Sequence, residues 1–159
     1  MKINIIIVSQ KPDTWVSQAT DEYIKRFSKD IKFNIIEIPL AQRNKEKNLS
    51  RIQIDKYKSI ESSNISKHLK NYYNIALDVR AKPISTEDLA NKLNFYQTNN
   101  PNINIIIGGP HGLDKNLLQK CQETWSLSKL TLPHNLVRVI ITEQLYRGWT
   151  ILKNHPYHK

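Results

Sequence analysis

Apolar residues follow two rhythms along this chain. Residues 2–8 and 103–107 are dominated by isoleucine and valine without clean alternation, which suits strands buried on both faces of a parallel sheet. Residues 33–39, ended by Pro39, and 73–78 read as two further strands. Between them the spacing lengthens. Trp15, Ala19, Tyr23 and Phe27 recur every four residues after Pro12 and Asp13, predicting a helix with one apolar stripe toward a core. A second helix is expected around Ile52 to Leu69. A third opens at Ser85 with Asp88 three residues later, a pattern related to the capping box, and puts Leu89, Leu93 and Tyr96 on one face. Asp114 can cap a short helix through Leu117, Leu118 and Cys121. WSLSKLTL at 125–132 alternates at period two, as a half-buried strand or an extended loop does. Residues 135–153 run without proline and space Leu136, Val139, Ile140, Leu145 and Leu152 as one long final helix, in which Gly148 marks a weak point or a close contact. The order β-α-β-α-β-α-β implies an α/β fold, a mainly parallel sheet flanked by helices, as a single domain over 1–159.

Composition narrows the classes. The longest apolar runs span five or six residues, far short of the roughly 20 a membrane span needs, and no signal-peptide pattern opens the chain; a cytoplasmic protein with no membrane partner is expected. Cys121 is alone, so no internal disulfide and no cysteine metal site is expected. The net charge of +10 fits a polyanionic partner, although a general bias toward Lys, Ile and Asn would also produce it. The six arginines are used more sparingly, and Arg138 and Arg147 lie near the C-terminal histidines, where a fork of donors has a purpose. Arg43, Lys45, Lys47, Arg51, Lys56 and Lys58 crowd 41–58 against Glu46 and Asp55; this is an RNA-facing edge or a solvated connection.

Candidate chemistry concentrates in INIIIGGPHG at 103–112, which holds three of the four glycines: Gly108, Gly109 and Gly112. A strand delivering its carboxyl end into such a loop is where α/β sheets bind ligands. The loop matches neither GxGxxG nor the GK[ST] ending of a P-loop. What remains is a backbone-lined pocket for a flat ring and an amino-acid-like group; a tight turn without ligand explains one or two of these glycines better than three. Asp78, at the end of the third strand, can accept ribose hydroxyls or be an ordinary loop-start aspartate. His68 reads as a helix-surface residue, His111 sits in the glycine loop, and His134, His155 and His158 gather near the end. No pair has zinc-protease spacing, so no metal is expected. Without GxSxG, a Cys–His signature or paired carboxylates, a nucleophilic hydrolase is disfavoured.

IIIGGPHG at 105–112, WSLSKLTLPHNLVRVIITEQLYRGW at 125–149 and NHPYHK at 154–159, in that order and spacing, closely resemble the RlmH family of the SPOUT superfamily. An MPDW-like start at Pro12 to Trp15 extends the likeness to essentially the whole chain. These are S-adenosylmethionine-dependent methyltransferases acting on N3 of a pseudouridine in 23S ribosomal RNA. The resemblance implies a C-terminal deep trefoil knot, which ordinary connection rules disfavour and spacing does not predict. It also implies a homodimer acting on the large ribosomal subunit or whole ribosome, with S-adenosyl-L-methionine held by Leu77, Gly108 and the stretch Leu127, Ser128, Lys129, Leu130, Thr131 and Leu132, with Gly109 and Asp78 as neighbours. For catalysis it points to Arg147, His155, Tyr157 and His158. Arg147, and secondarily Arg138, would steady a uracil-like oxyanion or a phosphate; His155 is the first candidate to accept the N3 proton; Tyr157 and His158 would position the base; Glu143 would orient Arg147 one helical turn away. Arg43, Lys45, Lys47, Arg51 and Arg138 are the expected RNA contacts. The chain departs from the family pattern at Ser9, where many relatives carry glycine, and at Gly148, where alanine is common; His111 falls where the family varies and has no catalytic role. Two alternatives stand beside this reading: a catalytically silent RNA-binding protein of the same fold, and a SPOUT methyltransferase for another RNA position. Retention of Gly108, Gly109, Arg147 and the tail speaks against the first.

Overall fold

The computed structural model of the chain describes residues 1–42 and 46–158. Within them β1 (Lys2–Val8), α1 (Thr14–Ile24), β2 (Lys32–Ile38), α2 (Arg51–Ser66), β3 (Tyr73–Leu77), α3 (Thr86–Asn99), β4 (Asn102–Ile107), α4 (Lys115–Leu118), β5 (Glu123–Trp125) and α5 (His134–Leu152) follow in order. The strands form one parallel sheet with the spatial order β2-β1-β4-β3-β5. The isoleucine runs are continuous because both faces are covered. Ile3, Ile5, Ile7, Ile75, Ile103, Ile105 and Ile107 meet Leu89, Leu93 and Tyr96 of α3 and Ile141 and Leu145 of α5 on one side. Ile6, Val8, Ala76 and Ile106 meet Ile65 of α2 and Leu117 of α4 on the other. Each fully buried isoleucine contributes about 1.5–3 kcal/mol.

Register is also written in polar residues. Asn34, Asn4, Asn104 and Asn74 stand side by side across four strands. Asn34 Nδ2 donates to Asn4 Oδ1 (3.0 Å), Asn4 Nδ2 to Asn104 Oδ1 (2.9 Å) and Asn104 Nδ2 to Asn74 Oδ1 (2.8 Å), and Asn74 Nδ2 ends the ladder on the Leu69 carbonyl (3.1 Å). Buried amides are costly without partners, so a one-residue slip of any of these strands would strand several at once.

The helix boundaries follow their caps. Ser85 and Asp88 form a reciprocal capping box on α3, Asp114 Oδ1 accepts from Asn116 N at 2.8 Å, and α2 opens with a second capping box, Ser50 with Gln53, that the hydrophobic spacing did not reveal. One expectation needs correcting. The stripe of α1 is rotated: Val16 and Thr20 are buried while Trp15 is 52% exposed, and Phe27 lies beyond the helix, packed on Phe33 and Tyr146 at 5.4 and 5.5 Å. The strand in the WSLSKLTL region ends at Trp125, after which Ser126 makes one bridge to Pro83 and the chain becomes a loop. Gly148 is a close contact: a Cβ there would meet Leu93 Cδ1 at 3.0 Å, Leu89 Cδ2 at 3.3 Å and the Ala90 Cα at 3.4 Å, where α5 lies on α3. Gly148→Val is therefore expected to cost about 1–3 kcal/mol of stability by overpacking, measurable as a lower midpoint in urea. Among the described residues, no helix is long and apolar enough to cross a membrane.

Candidate active site

Neighbouring strands β3 and β4 feed helices on opposite faces of the sheet, α3 on one and α4 on the other. The chains leaving their carboxyl ends must therefore part, and a crevice opens between them, as at ligand-binding switch points generally. A cavity of about 760 Å³ lies there, within the usual range for a small-molecule site. Leu77, Asp78, Val79 and Arg80 form one wall, Ile107 to Leu113 the floor, and Trp125, Leu127, Ser128 and Leu130 to His134 the opposite wall, with Lys58 reaching in from α2.

Hydrogen bonds hold these walls in place. Asp78 N donates to the Trp125 carbonyl (2.9 Å), Ser126 N to that of Lys82 (3.0 Å) and Ile84 N to that of Ser126 (3.0 Å), so the loop after β3 and the loop after β5 are stitched together. Ser126 Oγ donates to the Ser128 carbonyl at 2.9 Å, and Ser128 Oγ accepts from Leu130 N at 3.0 Å. On the floor, Gly112 N donates to the Gly109 carbonyl at 2.9 Å. Gly112 has φ +76°, in the left-handed region that favours glycine. A Cβ on Gly108 would sit 2.8 Å from the Gly112 carbonyl carbon and 3.0 Å from Leu113 N. The glycines thus serve the tightness of the turn, a steric reason that the sequence left open beside ligand approach. His111 Nε2 contacts Gln42 Oε1 at 2.8 Å, which ties the floor to the segment after β2.

On the cavity wall, Asp78 and Arg80 are paired with each other. Both carboxylate oxygens of Asp78 accept from Arg80, at 3.0 and 2.7 Å, and this bonding holds the Asp78 carboxyl below its ordinary range against the opposing effect of burial. Burial pushes His134 down, favouring neutral imidazole at the start of α5. It pushes Glu61 up, only partly offset by the Ala41 backbone N–H that Oε1 accepts at 3.0 Å.

The expected site residues separate into groups. Leu77, Gly108, Gly109, Leu127, Ser128, Leu130, Thr131 and Leu132 line the cavity together; Lys129 is exposed and does not. Leu130 is 72% exposed at the rim. Arg147, His155, Tyr157 and His158 are not on the walls. Arg147 and Tyr157 form a second assembly with Glu143, where Asn154 (φ 52°) turns the tail back over α5; His155 Nδ1 accepts from Tyr157 N at 3.3 Å, and His158 Nδ1 is buried without a hydrogen-bond partner among the described residues. There Arg147 Nε donates to Glu143 Oε1 (2.8 Å), the Tyr157 hydroxyl donates to the same oxygen (3.1 Å), and the Arg147 guanidinium lies 4.9 Å from the Tyr157 ring centre. Burial, then bonding to Tyr23 and Glu143, pushes the Tyr157 phenol up, so it remains a donor. Glu143 thus orients Arg147, as its spacing suggested.

Of the residues expected to contact RNA, Lys47 and Arg51 are exposed, whereas Arg43 and Lys45 lie outside the described residues. Arg138 is placed otherwise than expected: its side chain is 6% exposed and its Nη1 donates to Glu37 Oε1 at 2.7 Å, so it is a buried tie between α5 and β2. Trp125, His134, Val79, Arg80 and Lys58 were not singled out for the site from the sequence; Trp125 had a detectable signal, standing at the head of the period-two stretch.

A model described as "Predicted SPOUT methyltransferase" matches residues 1–158. The chain is 49% identical over 160 residues to the ribosomal RNA large subunit methyltransferase H of Francisella tularensis subsp. novicida, and 48% identical to the protein of that name from Saccharophagus degradans, with both chains fully covered in each case. Its fold resembles a probable methylase family protein from Haemophilus influenzae, with a TM-score of 0.55 at 14% identity over 99% of this chain and 70% of the other. With a family match and full-length relatives in agreement, the chain belongs to the SPOUT methyltransferase family.

Proposed function

We propose that the protein transfers a methyl group from S-adenosyl-L-methionine to N3 of a pseudouridine in the 23S RNA of the large ribosomal subunit, in the cytoplasm. The observation that carries this reading is the cavity at the β3–β4 switch point, walled by the glycine turn and the 126–133 loop. Its donor set fits the cofactor: Leu77, Ile107, Trp125, Leu127 and Leu132 offer apolar surface to an adenine, while Asp78, Ser128 and Thr131 offer polar groups to a ribose and an amino acid. Held there by these residues, the cofactor would supply an electrophilic methyl group whose leaving group is a neutral thioether. N3 must give up its proton to a base to attack, and the negative charge this places on the flanking carbonyl oxygens needs a cation.

In this reading Arg147, held by Glu143, supplies the cation, His155 accepts the proton, and Tyr157 and His158 position the base. Because the tail folds onto its own α5 rather than onto the cavity wall, the reading joins the tail of one subunit to the cavity of the other in a homodimer. Each subunit is one domain over 1–159, with its C-terminal part passing through a loop as the deep trefoil knot of the family. The substrate assignment draws on the relatives' names and on the net charge of +10. Lys47 and Arg51 are exposed at the start of α2, on the chain that leads to Lys58 at the cavity. Replacing both by glutamine is expected to reduce the slope of log affinity for RNA against log salt by about two, one per phosphate contact; salt titrations of binding measure it.

The deciding experiment supplies labelled S-adenosyl-L-methionine with assembled ribosomes or naked ribosomal RNA lacking the modification, and maps the product. Transfer to pseudouridine N3 on ribosomes is expected. Transfer only to naked RNA at another position would instead make the protein a methyltransferase of a different site, and cofactor-independent RNA binding without transfer would make it a silent binder.

A further inference from the structure

β5 is only three residues long and lies at the sheet edge, paired to β3 alone. So short an edge strand has little backbone pairing of its own, yet it carries Trp125 and leads directly into the cavity wall. Its anchor is a side chain. The Glu123 carboxylate accepts from four donors on three elements: the Tyr73 hydroxyl of β3 (3.0 Å), Lys92 Nζ and the Tyr96 hydroxyl of α3 (2.6 and 2.7 Å), and Trp125 Nε1 two residues along the same strand (2.8 Å). The Trp125 ring stacks on Tyr96 with 6.5 Å between ring centres and an interplanar angle of 21°, and the Lys92 ammonium lies 5.8 Å from the Trp125 ring centre. Two of the donors that fix the carboxylate, Lys92 and Tyr96, also contact the Trp125 ring, and Tyr73 packs on Tyr96 at 5.2 Å. Burial alone would raise the Glu123 carboxyl, but Lys92 and the three neutral donors outweigh it and hold it down at about 2. The group is a carboxylate throughout the working range.

We infer that Glu123 is a positioning residue for the cofactor pocket: it fixes the orientation of the Trp125 indole, and with it the 126–133 wall, and so sets affinity for S-adenosyl-L-methionine without taking part in methyl transfer. This rests on the cofactor assignment above. A glutamine at 123 keeps the shape but offers one acceptor oxygen and an NH2 where four donors converge, so the indole loses its charged partner.

The test uses the full-length protein and S-adenosyl-L-methionine itself. Glu123→Gln is expected to raise the cofactor Kd and KM at least about tenfold, equivalent to 1.4 kcal/mol, while kcat at saturating cofactor stays within about twofold of wild type. Phe33→Leu, on the opposite edge strand β2, is the control for stability loss and is expected to leave the Kd unchanged. Should Glu123→Gln not fold, Lys92→Met and Tyr73→Phe each remove one donor and are expected to raise the Kd about threefold, roughly half the effect. Unchanged affinity in the folded Glu123 variant, or in both single-donor variants, would overturn the inference, as would an equal rise in Phe33→Leu. If wild type itself fails to bind S-adenosyl-L-methionine, the cofactor assignment fails instead, and the two failures are told apart by that one titration.

Discussion

Gly108→Ala is expected to reduce S-adenosyl-L-methionine affinity at least about a hundredfold, some 2.8 kcal/mol, in a protein whose circular dichroism still reports the α/β fold. The cause is steric and local. The new Cβ would lie 2.8 Å from a backbone carbon of Gly112 and 3.0 Å from the backbone nitrogen of Leu113, and backbone cannot step aside as a side-chain end can. Relief requires the 108–113 turn to open, and that turn is the cavity floor. The sheet itself is insulated, because Ile105, Ile106 and Ile107 are packed from both faces and paired to β1 and β3. Calorimetric titration for binding and thermal unfolding for stability separate the two effects. Loss of fold in proportion to loss of binding would mean that the turn is chiefly structural.

Arg147→Ala is expected to behave in the opposite way, with product formation falling by about two to three orders of magnitude, the usual scale for removing one group that stabilises developing charge, while cofactor affinity stays within about threefold. Arg147 is absent from the cavity wall, and its guanidinium is held by Glu143 and covered by the Tyr157 ring. Removing it leaves Glu143 with only Tyr157 and Gln144 as donors, so the tail loses both its cation and part of its anchor. An equal loss of cofactor binding would place Arg147 against the cofactor. The two inactive variants also test whether tail and cavity belong to different subunits. Mixed Gly108→Ala and Arg147→Ala proteins would regain about a quarter of wild-type activity if dimers exchange at random, since each mixed dimer then holds one intact cavity facing one intact tail. No recovery after verified exchange would show that each chain works with its own tail.

The sequence made the elements legible because the physics that sets them is local. Isoleucine runs, the Ser85–Asp88 pair, Asp114 and the proline-free stretch of α5 each carry their own signal, and the structure places the corresponding boundaries within a few residues. The glycine turn and the 127–132 stretch were legible as parts of one site through the family resemblance. What was not legible depends on contacts between distant segments. The rotation of α1 that exposes Trp15 is decided by which face meets α5, where Tyr23 lies against Tyr146. The Asn4, Asn34, Asn74 and Asn104 ladder exists only once strand order is known, since four separate asparagines look like four surface residues. Arg138, a sparse arginine near histidines, reads as an RNA contact until Glu37 of β2 is found beside it. Glu123 likewise acquires significance only when Tyr73, Lys92, Tyr96 and Trp125 converge on it.

The crevice between β3 and β4 is proposed to hold S-adenosyl-L-methionine. The most direct test is a calorimetric titration of the wild-type protein with that cofactor, repeated with Gly108→Ala. Saturable binding of one molecule per chain is expected, competed by S-adenosylhomocysteine and lost in the variant. Wild-type protein that takes up no cofactor, or Gly108→Ala protein that binds as wild type does, would contradict the proposal.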